Sequence, residues 1–171
     1  DCDRYTEIWN LVFIQYNNKG DYELDPLPAQ HVDTGMGFER LVAILQSVDS
    51  NYRTDLFWPI IKETQRMAGQ TDEEREANIT AYRVIADHIR ACTFLIGDGV
   101  LPANAGRGYV LRMVLRRAVR FGRNLGFRQP FMGHLADLVI ENMGDQFPEL
   151  PQRADFIKAT IISEEERFLR T

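Results

Sequence analysis

At 171 residues the chain is long enough to bury a core of its own, and 44% apolar with 26% charged residues is the composition of an ordinary globular domain or a domain and a fraction. No apolar run approaches the roughly 20 residues of a membrane span and the start carries no signal-peptide pattern. Cys2 and Cys92 lie far apart, and His31, His88 and His134 match no zinc spacing, so a reduced, cytoplasmic protein without a legible metal site is expected. The net charge of −5 argues against a general nucleic-acid binder, although an average conceals asymmetry. Asp1 starts no methionine-led chain and the last helical pattern is still running at Thr171, which reads as an internal fragment of a longer polypeptide.

Tyr5 to Tyr16, YTEIWNLVFIQY, is aromatic and β-branched without glycine or proline and predicts a strand buried on both faces. Alternation puts Asn10 with Ile8, Val12 and Ile14, where a polar group needs a partner. Asn17 to Asp21 is a turn cluster. Tyr22 to Leu27, short and ending in prolines, predicts a hairpin partner or edge strand, and Gln30 to Thr34 a last strand. The next stretch, HVDTGMGFER from His31 to Arg40, reads as a strand handing over to a helix, since Phe38, Leu41, Val42 and Leu45 recur at helical spacing. Glycines at such a handover let backbone N–H groups approach an anion, Arg40 adds a fork-shaped donor suited to phosphate, and Asp33 suits a cation such as an amine. Val-Asp-Thr-Gly also opens an aspartic-protease half-site. That chemistry needs two carboxylates sharing a proton, no second copy occurs in the chain so that only a homodimer would supply it, and the helical spacing after Arg40 is wrong for an all-β protease.

Thr54 or Asp55 is expected to cap a helix through about Met67, with Leu56, Ile60, Ile61 and Thr64 on one face. Gly69 to Glu76 reads as a polar, acidic loop. Asn78 to Ile96 predicts a strong helix with Tyr82, Ile85, Ala86, Ile89 and Ile96 inward, and His88 beside that seam as a hydrogen-bonded structural residue. GDGVLPANAGRG, Gly97 to Gly108, breaks the helix and carries Asn104 at its tip. A new helix opens near Arg107, with Val110, Val114, Phe121 and Leu125 as its expected seam. Arg112, Arg116, Arg120 and Arg123 follow at spacings of 4, 4 and 3, and six arginines with no acid lie between Arg107 and Arg123. Taking these six charges from the net −5 leaves −11 on the remainder, so an anion-facing helix on an acidic protein is expected, with nucleic-acid phosphate its natural partner. Phe131 to Met143 and Ala154 to Leu169 predict two more helices, with Glu164, Glu165 and Glu166 read as a solvated charge run.

EIWNLVFIQY, VDTGMGFER, RVIADHIR and LPANAGRGYVLR followed by LRRAVR together resemble the alanyl-tRNA synthetase family of class II aminoacyl-tRNA synthetases, over nearly the whole chain and in the right order. The resemblance implies an α+β, predominantly helical fold. Residues 1–47 would be the C-terminal part of the class II antiparallel-sheet catalytic domain, carrying its third motif, and 48–171 a helical tRNA-recognition bundle. By motif match, Asp33 would bind the alanine amino group, with Asn10 and Gly35 completing that pocket. Arg40 and Gly37 would lie against ATP. Asn104, in a Pro-x-Asn loop, would read the wobble G:U pair of the alanine tRNA acceptor stem, with Arg107, Arg112, Arg116 and Arg120 along the stem. Met113 departs from the pattern, where a second arginine after Leu111 is expected. ATP and Mg²⁺ would serve the parent enzyme, while Zn²⁺ is expected only in an editing region after Thr171. The first two class II motifs are absent from these residues, so the chain alone is expected not to activate alanine. A stand-alone helical RNA-binding module is the rival reading; the joint presence of Asp33, Asn10 and Arg40 favours the enzyme.

Overall fold

The aromatic, β-branched run forms strand β1, Trp9–Gly20, and pairs antiparallel with β2, Glu23–Met36, around a turn in which Gly20, Asp21 and Tyr22 all take positive φ. These features come from a computed structural model describing residues 5–170. The second strand is one 14-residue element, not the two short strands expected. Pro26 and Pro28 lack N–H groups, so the ladder skips: Ile14 faces His31 while Tyr16 faces Pro26, and Leu27 to Gln30 bulge out opposite Gln15 alone. The expectation of a strand buried on both faces is corrected as well. β1 pairs only with β2 among the described residues, and Trp9, Leu11, Phe13 and Tyr16 are more than half exposed. Two strands cannot cover either face by themselves.

Gly37 ends the ribbon and N-caps α1, Phe38–Leu45, whose spacing follows the sequence reading. A 3₁₀ turn, Asn51–Arg53, closes the first of two compact units, which ends at Thr54; the second begins at Asp55. Neither Thr54 nor Asp55 caps the helix that follows, whose N-cap position is Phe57. The Thr54 hydroxyl donates to Asn51 O at 2.6 Å.

The second unit is helical: α2 (Trp58–Ala68), α3 (Asp72–Ala77), α4 (Ile79–Gly97), α5 (Gly106–Asn124), α6 (Met132–Met143), α7 (Glu149–Gln152) and α8 (Ala154–Leu169). The expected acidic loop over 69–76 in fact holds α3. Thr71 and Glu74 form a reciprocal capping box, with Thr71 N–H donating to Glu74 at 2.8 Å, and the acids of the first turn suit the positive helix end. Arg75 of α3 is 6% exposed and binds Gln65, Asp72 and Glu76, which ties the short helix to α2.

α4 is the central helix. Tyr82, Ile85, Ala86, Ile89 and Ile96 are all buried, as their spacing predicts, against α2, α5, α6, α7 and α8. Burial pushes the Cys92 thiol up to about 12, so it acts here as a small apolar side chain. The expected seam of α5 is shifted. Of the expected positions Leu125 is buried, but Leu111, Leu115, Ala118, Val119 and Gly122 carry the rest of the seam while Val110 is 51% exposed, because the arginines at 112, 116, 120 and 123 define the outer face more strictly than the valines do the inner. At Gly122 a Cβ would come within 2.3 Å of the Phe131 ring, which is itself buried and stacked on Phe127 at 4.2 Å. Closeness of α5 to Phe131 therefore requires glycine there.

Candidate functional site

In the first unit the ladder places Asn10 opposite Gly35 and Val12 opposite Asp33. Directly paired residues project from the same face, and so do positions two apart, so Asn10, Asp33 and Gly35 share one face of the ribbon. The other face carries Trp9, whose indole N–H donates to the Thr34 hydroxyl. Asn10 is exposed and its amide lies 3.4 Å from Glu7 Oε1, so the partner expected of a buried asparagine is not needed here. Asp33 Oδ1 accepts from Thr34 N–H at 2.8 Å, which fixes the carboxylate beside its own strand. Nothing lies within 4 Å of a Cβ built at Gly35. The handover to α1 is tied back to the segment before β1 twice: Gly37 N–H donates to Ile8 O at 2.9 Å and Arg40 Nη1 to Glu7 O at 2.7 Å. Arg40 stays exposed, and one bond to a carbonyl leaves most of its five donors for another acceptor.

In the second unit Gly99, at φ 86°, turns the chain out of α4 into the loop that ends at Ala105. Ala103 N–H donates to Gly108 O at 3.0 Å and closes that loop onto the first turn of α5. Asn104 sits exposed at the tip, and Arg112 Nη1 donates to Asn104 Oδ1. A guanidinium has donors only, so it must face the amide oxygen, and the Asn104 NH₂ is left as the free edge. Arg107 and Arg120 are exposed. Arg116 is half committed: its Nε and Nη2 lie 2.8 and 2.7 Å from Glu164 Oε1.

That pair corrects the reading of the glutamate run. Glu164 is 3% and Glu165 1% exposed. Glu164 also faces Arg167 at 3.6 Å, while Glu165 accepts from the Phe131 and Met132 N–H groups, both at 3.0 Å, where α6 starts. Desolvation pushes the Glu165 carboxyl up to about 7, against the two N–H bonds that favour its ionised form. Three like charges in a row suggested a solvated face. The signal for the inner role was the spacing, since Ile157 and Ile161 of α8 are buried and the next positions on that face are 164 and 165. His88 is buried, with Nδ1 2.7 Å from Asp87 Oδ2.

Among the described residues no group of three or more His, Cys, Asp or Glu is placed to hold a metal ion, and no helix is long and apolar enough to cross a membrane. The family model described as tRNA synthetases class II (A) matches residues 1–171, and the chain belongs to that family. Its curated relatives narrow the likeness. It is 54% identical to the alanine–tRNA ligase of Geobacillus kaustophilus over 99% of this chain and 19% of that protein. The corresponding figures are 52% over 100% and 20% for the alanine–tRNA ligase of Desulfosudis oleivorans, and 54% over 100% and 19% for that of Stenotrophomonas maltophilia. The chain therefore spans about a fifth of the length of these relatives.

Proposed function

We propose that the chain is a segment of an alanine–tRNA ligase, which activates alanine with ATP and transfers it to the 3′ end of its tRNA, and that this segment supplies the third class II motif and the acceptor-stem surface. Residues 1–47 take the first role and 48–171, as a tRNA-recognition bundle, the second. The observation that carries the reading is the pairing of Asn104 with Arg112 at the head of the arginine helix. With its oxygen taken, Asn104 offers two donors from a narrow loop tip, suited to acceptors on a base edge in the shallow minor groove of an RNA stem. Arg107, Arg116 and Arg120 then position the stem through phosphates, which fix register without reading sequence.

On the ribbon, the Asp33 carboxylate holds the alanine ammonium, Asn10 lies two positions away on the same face, and Gly35 leaves room for the substrate. Arg40, braced on Glu7 O, offers its remaining donors to ATP phosphate, and Gly37 keeps the backbone close. ATP with its Mg²⁺ supplies the adenylyl group in the whole enzyme. Zinc belongs to an editing region outside these residues, and the site of action is the cytoplasm.

The test is binding to an acceptor-stem hairpin carrying G:U beside its G:C twin. A preference of at least about tenfold for G:U, roughly 1.4 kcal/mol, is expected, and Asn104→Ala should erase it while leaving the salt dependence unchanged. Equal affinity for both hairpins would refute the placement of readout on this loop. A second expectation concerns catalysis: these 171 residues lack the motif-2 arginine and by themselves should show no alanine-dependent ATP–pyrophosphate exchange. Measurable exchange would overturn that.

A further inference from the structure

A second feature of the arginine helix lies apart from the Asn104 loop. Arg116, Arg117 and Arg120 line a cavity of about 550 Å³ together with His88, Met113 and Phe168. That volume is in the range of pockets that hold small organic ligands. The carboxylates near this wall are already committed: Asp87 to His88 at 2.7 Å, and Glu164 to Arg116 at 2.7 Å and Arg167 at 3.6 Å. Arg117 Nη1 lies 3.4 Å from His88 Nε2, whose other ring nitrogen faces Asp87 Oδ2 at 2.7 Å. The remaining contacts of Arg117 and Arg120 are with the Phe121 ring, at 5.7 and 5.8 Å. Among the described residues neither has a carboxylate within ion-pair distance. Two guanidinium groups with no paired carboxylate thus border a mostly apolar floor, Arg117 meeting the Asp87 charge only at longer range, across His88.

Charge and floor together select the ligand. Inorganic phosphate would satisfy the arginines and leave the floor wet, and a neutral aromatic molecule would cover the floor and leave the arginines unused. We propose that this cavity binds a phosphorylated nucleoside, its phosphate on Arg117 and Arg120 and its base against Phe168 and Met113. Arginine and aromatic side chains are the groups on which unstacked bases settle, and Arg116 already lies over the Phe168 ring at 5.2 Å. The nucleoside phosphate has two sources, a free mononucleotide or an unstacked nucleotide of an RNA strand. The inference stands on this cavity and not on the reading of Asn104.

The experiment is a titration of the 171-residue chain at physiological salt, followed by amide and arginine side-chain NMR, with AMP, adenosine, inorganic phosphate, a 5′-phosphorylated single-stranded trinucleotide and an acidic peptide. AMP is expected to shift the signals of Arg117, Arg120 and Phe168 and to bind at least tenfold more tightly than adenosine or phosphate. Arg117→Ala and Phe168→Leu should each weaken AMP at least fivefold with native melting curves, and Asn104→Ala should leave AMP binding unchanged. A trinucleotide tighter than AMP, weakened by the same variants, supports the cavity and assigns it to RNA. Equal affinities support it and assign it to free nucleotide. Shifts absent at millimolar AMP, AMP no tighter than phosphate, or the acidic peptide displacing AMP would each overturn the proposal. Failure here leaves the G:U hairpin result untouched, and loss of the hairpin preference leaves this one untouched.

Discussion

Replacing Glu165 by alanine is expected to lower the unfolding free energy of the helical unit by about 2–4 kcal/mol, read as a fall in denaturant midpoint at unchanged slope. Glu165 is 1% exposed and accepts from two backbone N–H groups, of Phe131 and Met132, at 3.0 Å each. These belong to the orphan donors of a helix start, and α6 has no side-chain cap of its own at Phe131. A side chain of α8 thus caps α6 across the bundle. Removal leaves two donors buried beside a small void, at about 1–3 kcal/mol for each unpaired group, offset by the carboxylate that no longer has to be desolvated. If the variant unfolds at the wild-type midpoint, this cap contributes nothing.

The same carboxyl gives the unit a pH dependence of unusual sign for an acid. Its pKa is raised from the ordinary 4.5 to about 7 in the fold, so the folded state binds the proton more tightly than the unfolded chain. The associated stability is fully present below about pH 4.5 and is lost as pH rises toward 7, to the extent of roughly 3 kcal/mol. Glu63 and Asp72, both lowered to about 2, chiefly by a hydrogen bond from Arg66 and from Gln65 respectively, act in the opposite direction at the acid end. Glu165→Gln isolates the first effect. It cannot ionise and keeps one acceptor oxygen, so the difference between wild type and variant should shift steadily against wild type from pH 4.5 to 7. A constant difference across that range would show that Glu165 does not titrate there.

Legibility followed the kind of signal each element carries. α4 was plain because five apolar positions at helical spacing are all buried against its neighbours. The α3 capping box was present in the letters, Thr71 followed three positions later by Glu74, but a run of acids without apolar periodicity reads as loop. Pattern rules also misplaced the ribbon's environment: Trp9, Leu11 and Phe13 have the composition of a doubly covered strand, and the described residues supply no covering layer. On the site side, the common face of Asn10, Asp33 and Gly35 required a register that sequence alone does not fix, since a bulge of unknown size separates the strands' two halves. The commitment of Arg116 to Glu164 spans 48 positions, and no local pattern encodes it.

Gly108→Ala is expected to abolish the G:U preference as completely as Asn104→Ala, although position 108 carries no side chain to offer an RNA. A Cβ there would stand 2.3 Å from Leu101 O and 2.7 Å from Ala103 Cβ. The first of these is backbone, which cannot rotate aside, so the loop before Ala105 has to lift off the first turn of α5. The Ala103 N–H bond to Gly108 O goes with it, and Asn104 leaves Arg112. Overpacking of this kind costs about 1–3 kcal/mol, enough to shift a surface loop without unfolding a helical unit whose core lies elsewhere. Gly106, two positions earlier, is the control: its φ of 59° strains any other residue, yet nothing lies within 4 Å of a Cβ there. Gly106→Ala should therefore lose about 1 kcal/mol of stability and keep most of the preference. The arginines remain on α5 in both variants, so the salt slope of hairpin binding should stay at the wild-type value. A Gly108→Ala protein that still prefers G:U would mean that readout does not depend on where this loop holds Asn104.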